Sequence, residues 1–200
     1  VTEHLEIVLP PDGIGPGVLV IHPWWGRNQA VLDFGRRLAE RGFVVGLADA
    51  FEGNVATERD TAQGLLERYW QSAPALLADN VRTLAAHAAV TGGVSGLGFS
   101  FGGFQLLQLQ EELPLRRVAT YYADREVRLK VPVLGHFAET DPFADDQDGM
   151  IRKLEAAGPP SAAIVYPNTT HWFAEAYRPE YDAAAAEAAF ERSVAFLRAD

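Results

Sequence analysis

Cysteine is absent from all 200 residues, which excludes disulfides, thiolate metal sites and a cysteine nucleophile and leaves the redox compartment undetermined. Runs of Lys or Arg are absent too. Seventeen basic side chains stand against 27 acidic ones, a net charge of −10, and that field repels phosphate backbones and anionic membranes. The reading is therefore no nucleic-acid partner and no membrane. No apolar run approaches membrane-spanning length. Val1-Thr2-Glu3-His4 supplies neither a basic n-region nor an apolar h-region before Leu5, so the expectation is a cytoplasmic chain without a targeting segment. Internal repeats, linkers and low-complexity tracts are also missing. A composition of 48% hydrophobic and 22% charged residues fits one globular domain over residues 1–200.

The apolar pattern is that of strands alternating with helices. Leu5, Ile7 and Leu9 alternate with more polar neighbours and read as an edge strand closed by Pro10-Pro11-Asp12-Gly13. Val18–Ile21, Phe43–Ala48, Val94–Phe99, Val118–Tyr122, Val131–Phe137 and Ala162–Tyr166 are short apolar runs, as in strands covered on both faces. Helical spacing links Val31, Phe34 and Leu38, then Leu65, Leu66 and Tyr69, then Leu77, Val81, Leu84 and Ala88, with Pro74 between the last two patterns. Further helices are read from Phe104 to Glu112, from about Asp145 to Ala157, and through Ala183, Ala186, Phe190, Val194 and Leu197. This order predicts a single-domain α/β fold, a mostly parallel sheet with helices on both faces, whose ligands sit at the carboxyl ends of the strands.

One of those ends carries Gly98-Phe99-Ser100-Phe101-Gly102 between an apolar strand and a helical pattern. A nucleophilic serine on so sharp a turn needs small residues on either side, and the turn aims the next backbone N–H at a developing oxyanion. Serine is a weak nucleophile, so Ser100 needs a base, and the base an orienting acid. In α/β-hydrolases the chain order is Ser, then Asp or Glu, then His. Asp141 and His171 follow in that order, each in a loop after a strand. Glu139 and Asp145 are the substitutes for the acid, while His136 falls inside a strand pattern, His22 lies upstream and His4 is near the terminus. His87 reads as structural. The oxyanion donors would be the N–H groups of Phe101 and Trp24, because Pro23 has none. The aromatics of these loops, among them Trp24, Trp25, Phe51, Phe101, Phe143 and Trp172, imply an apolar acyl or alcohol pocket. Asp146, Asp148, Gly149 and Glu155 fall at calcium-loop spacing, but the first ligand position is Ala144. No metal is expected. The Asn168-Thr169-Thr170 glycosylation pattern carries no weight outside a secretory context.

Over nearly its whole length the chain resembles the dienelactone hydrolase family. The resemblance rests on Val20-Ile21-His22-Pro23-Trp24-Trp25-Gly26, Arg41-Gly42-Phe43-Val44-Val45, the Ser100 turn through Gly103, Tyr121-Tyr122, Glu139-Thr140-Asp141-Pro142-Phe143 and His171-Trp172-Phe173. It implies hydrolysis of an ester or lactone through an acyl-enzyme, without a cofactor, with Ser100, Asp141 and His171 as triad and Trp24 and Phe101 at the oxyanion positions. Three departures bear on substrate. The best-known members use a cysteine nucleophile; a glutamate that contacts their resting thiol falls at Pro23; and by the resemblance their two carboxylate-binding arginines fall at Glu52 and Glu175. Two acidic groups would repel an anionic substrate. The expected substrates are thus neutral or aromatic esters or lactones, with Trp25, Phe51, Glu52, Phe143, Trp172 and Glu175 assigned to the pocket. A monomer or weak homo-oligomer is expected. The alternatives are a non-catalytic small-molecule-binding protein on the same fold and a nucleotide module, the latter short of the third fingerprint glycine and a phosphate-loop lysine.

Overall fold

The computed structural model describes residues 4–199, so Val1, Thr2 and Glu3, read above as no targeting segment, lie outside the described residues, as does Asp200. Among the described residues seven strands form one sheet in the order β1-β3-β2-β4-β5-β6-β7. They are β1 (Leu5–Val8), β2 (Gly15–Ile21), β3 (Val44–Ala48), β4 (Val90–Phe99), β5 (Val118–Tyr121), β6 (Val133–Thr140) and β7 (Ala162–Thr170). Only β1, at the edge, pairs antiparallel. The interleaved helices are α1 (Gln29–Glu40), α2 (Arg59–Tyr69), α3 (Ala73–Ala85), α4 (Phe101–Leu109), α5 (Gln147–Ala157) and α6 (Ala183–Arg198).

Period-two strand geometry divides the core into two layers. Leu19, Ile21, Val94, Val118 and Val133 pack with Leu77, Leu84, Leu106 and Leu154 of α3, α4 and α5. Val18, Val20, Leu97, Phe99 and Ala119 pack on the opposite face with Val31, Phe34, Leu38, Phe190 and Val194 of α1 and α6. Strands buried on both faces read as unbroken apolar runs for this reason. No helix among the described residues is long and apolar enough to cross a membrane.

Several boundaries differ from the sequence reading. Pro74 lies in the first turn of α3 rather than between the two helices, where a missing N–H breaks no intrahelical bond. Helix α4 begins at Phe101, immediately after Ser100. Strands β6 and β7 run past their apolar stretches to Thr140 and Thr170 through a register irregularity, which puts Asp141 and His171 directly on strand tips.

The Ser100 turn is a packing constraint as well as a chemical one. A Cβ at Gly102 would overlap the Ile21 carbonyl oxygen, and one at Gly98 would overlap the backbone of Gly102 and Gly103. Backbone cannot yield as a side chain can. Gly98→Ala and Gly102→Ala are each expected to destabilise by about 2 kcal/mol or more, read as a lowered urea midpoint, while Gly64→Ala on the exposed face of α2, where nothing lies within 4 Å, should be neutral or slightly stabilising.

Candidate active site

Because β2 and β4 to β7 are parallel neighbours, their carboxyl ends open on one edge of the sheet. Ser100 is held there at φ +47° and ψ −110°, a conformation that costs about 1–3 kcal/mol for a non-glycine residue. The backbone bonds Ser100 N–H to Tyr121 O, 2.9 Å, and Phe104 N–H to Ser100 O, 2.9 Å, clamp it. Tyr122 and Trp172, at the ends of β5 and β7, also have positive φ, +40° and +71°.

The sequence-derived trio converges. His171 Nε2 lies 2.9 Å from Ser100 Oγ, and His171 Nδ1 lies 2.7 Å from Asp141 Oδ2. The side chains of His171 and Asp141 are 6% and 1% exposed, so water screens their contact little. Asp141 Oδ1 accepts the Phe143 N–H at 2.9 Å, which fixes the carboxylate by both oxygens. The imidazole is packed against the rings of Tyr122, Phe143 and Trp172, with centroids 4.7, 5.1 and 5.1 Å away. Glu139 turns elsewhere, accepting the Asn168 N–H. Asp145 reaches the cleft wall but has no bond to the imidazole.

Trp24 and Phe101 flank Ser100, and their backbone N–H groups donate to no acceptor among the described residues. The loop carrying Trp24 is fixed by His22, which is fully buried. Its Nδ1 contacts Pro23 O at 2.6 Å and its Nε2 accepts the Ala50 N–H at 3.0 Å. That pattern requires the neutral Nδ1–H tautomer, in keeping with burial pushing the pKa down to about 4. A second Ser–His contact, His136 Nε2 to Ser193 Oγ at 2.9 Å, is sealed inside the protein with Tyr166 and Tyr121 bonded to its two members. Burial lowers the His136 pKa to about 3, and no substrate can reach this pair.

The cleft over Ser100 holds about 310 Å³ and is walled by Trp24, Trp70, Phe104, Tyr122, Phe143 and Trp172, with Asp124 and Asp145 as its carboxylates. Phe143 and Trp172 stand where the sequence put them. Trp25, Phe51, Glu52 and Glu175 do not line it. Trp25 is core, covered by the Arg178 guanidinium 4.1 Å above its ring. Phe51 is core beneath His22 and Phe101. Glu52 sits on the surface in a left-handed turn, accepting the Tyr69 hydroxyl. Glu175 is buried behind Tyr122, whose hydroxyl donates to Glu175 Oε1 at 3.0 Å; burial drives its pKa up to about 8. Burial favours its protonated form and it does not face the cleft, so the carboxylates that a substrate meets are Asp124 and Asp145. Gln63, Leu66 and Trp70, supplied by α2 and its end, escaped sequence reasoning because periodicity does not reveal which part of a helix overhangs the strand ends. Tyr122 and Asp124 could have been found from their position just past a strand end. Among the described residues no group of three or more His, Asp or Glu side chains is arranged to hold a metal; Asp146 caps α5, accepting the Gly149 N–H.

Similarity to known proteins covers nearly the whole chain. It is 27% identical over 210 residues to "Protein usf" of Aquifex pyrophilus, covering 96% of this chain and 91% of that one. A dienelactone hydrolase-like promiscuous phosphotriesterase, P91, from metagenomic libraries superposes with a TM-score of 0.83 at 22% identity, over 96% of this chain and 90% of that chain. An esterase of Thermogutta terrifontis superposes with a TM-score of 0.69 at 15% identity, over 96% and 88%; these two structural likenesses speak to fold. The family model described as "Dienelactone hydrolase family" matches residues 6–200. With the strand-end serine, histidine and aspartate already in place, this match assigns the chain to the dienelactone hydrolase family of α/β-hydrolases.

Proposed function

We propose that the protein hydrolyses carboxylic esters or lactones lacking a negative charge, through an acyl-enzyme on Ser100. The observation that carries this reading is the continuous contact from Ser100 Oγ through His171 to Asp141, 2.9 and 2.7 Å, beside two N–H groups without acceptors. His171 Nε2 takes the hydroxyl proton as Oγ attacks the carbonyl carbon. Asp141 holds the proton on Nδ1 and stabilises the imidazolium. The carbonyl oxygen, now carrying the charge, accepts from the Phe101 and Trp24 N–H groups. Collapse breaks the ester C–O bond, and the imidazolium returns its proton to the departing alcohol oxygen. Water then enters, gives a proton to His171 and releases the acid by the same steps.

The aromatic walls favour apolar acyl or alcohol groups. Neither Lys nor Arg lines the cleft, while Asp124 and Asp145 do, so an anionic substrate meets repulsion from the charges it faces. A neutral aryl ester is expected to turn over at least about tenfold faster, by kcat/KM, than the anionic dienelactone; the reverse order would refute the charge assignment. The reading as a whole is tested with a fluorophosphonate probe, which should label the protein at Ser100 and leave Ser100→Ala unlabelled. A folded protein that neither labels nor cleaves any ester in a panel would be a binding protein instead.

A further inference from the structure

A second cavity, about 420 Å³, adjoins the catalytic cleft. The two share Phe104, Asp124 and Asp145 as common walls, so the cavities meet at these residues. Beyond them the second cavity is lined by Arg125, Glu126, Asp146 and Lys153 among others. Its two cations are already engaged with backbone. Arg125 donates to Phe104 O at 3.5 Å, with its guanidinium 3.9 Å from the Phe104 ring centroid, and Lys153 Nζ donates to Val127 O at 2.8 Å. Asp124 accepts the Asp146 N–H. No carboxylate at the junction has an ion-pair partner among the described residues.

We infer that the second cavity is a subsite for the end of the substrate remote from the scissile bond, and that it selects esters bearing a positively charged ammonium group, held by Asp124 and Asp145 where the cavities join. The inference rests on the ester-hydrolase reading above and narrows its substrate class. An anion that is half-buried, without an ion-pair partner and beside a second anion is destabilised in the free protein, and a cationic ligand relieves both effects. Burial is indeed the main cause of a raised Asp124 pKa, offset by the Asp146 N–H, with the charges of Asp145 and Asp141 raising it further. Trp70, which lines the catalytic cleft, adds a ring face, which attracts cations at short range. Of the two carboxylates Asp124 should dominate, because Asp145 is exposed and its field is screened.

The test compares a choline ester with its neutral isostere, in which a quaternary carbon replaces the nitrogen, both of the same short acyl chain. The kcat/KM ratio, cationic over neutral, is expected to be about tenfold. It should fall to about twofold in Asp124→Asn, fall by a smaller factor in Asp145→Asn, and decline as salt is raised. Taking the ratio within each variant cancels any general loss of activity. A wild-type ratio near one, or an unchanged ratio in the Asp124→Asn/Asp145→Asn double variant, would overturn the inference. If the neutral ester is cleaved without preference for the cation, the hydrolase reading stands and the subsite falls. If neither ester is cleaved, the subsite is judged by phenyltrimethylammonium binding followed through tryptophan fluorescence, and fluorophosphonate labelling at Ser100 decides the hydrolase reading separately. Should Asp124→Asn not fold, Asp145→Asn and the salt dependence decide; binding or preference insensitive to both refutes it.

Discussion

Ser100→Ala, His171→Ala and the double variant are expected to lose the same activity, about 10⁴–10⁶-fold in kcat on an activated neutral ester. The equality follows from geometry. Ser100 Oγ and His171 Nε2 are 2.9 Å apart, and the proton that leaves one arrives at the other, so either deletion abolishes the same step. Multiplying losses would mean independent roles. Asp141→Asn extends the test, because the Phe143 N–H donates to Asp141 Oδ1 at 2.9 Å. An asparagine keeps its carbonyl oxygen on that donor, which turns its NH₂ toward His171 Nδ1. Nδ1 must then accept, the ring proton moves to Nε2, and the nitrogen facing Ser100 can no longer take a proton. A loss of about 10³–10⁴-fold in kcat is expected, at least as large as that of Asp141→Ala despite the closer match in shape. Recovery of near-normal kcat in Asp141→Asn would show that the tautomer is not what the carboxylate controls.

The parts of this site legible in the sequence are those fixed by local chemistry. Ser100 lies between glycines whose absent side chains make room for the Ile21 carbonyl and the start of α4, and such steric demands leave a mark in the residues themselves. Asp141 and His171 follow strands whose apolar runs identify them, and parallel topology carries all three to one edge. What remained illegible depends on the path of loops and the tilt of helices. Trp24 and Trp25 are adjacent and chemically alike, yet one walls the cleft and the other is core. The choice is made by His22, whose bonds to Pro23 O and Ala50 N–H join residues far apart in the chain. Glu175 was misplaced for a related reason. Four residues past His171 it looks like a pocket residue, but the chain turns at Trp172 and sends it behind Tyr122.

That displaced carboxyl should set the pH dependence of folding. Glu175 is 4% exposed, and its pKa is raised from 4.5 to about 8, by burial first, against the Tyr122 hydroxyl bond and the charge of Arg178, with Glu180 raising it again. Its sign is opposite to that of an ion-paired carboxylate. Between pH 4.5 and about 8 the folded protein keeps a proton that the unfolded chain has lost, so this group's contribution is most favourable at the acid end and declines as pH rises, levelling off once the folded group ionises too. A shift of this size corresponds to a few kcal/mol, of the order of 1.4 kcal/mol for each pKa unit. Glu175→Gln cannot ionise, and its amide oxygen can still accept the Tyr122 hydroxyl. Urea unfolding at pH 5, 7 and 9 should therefore show the wild type losing about 2–4 kcal/mol more than Glu175→Gln across the range, with the variant the more stable protein at pH 9. Parallel curves would mean that Glu175 ionises in the fold at its ordinary pKa, with the Arg178 guanidinium turned from the Trp25 ring to pair with it.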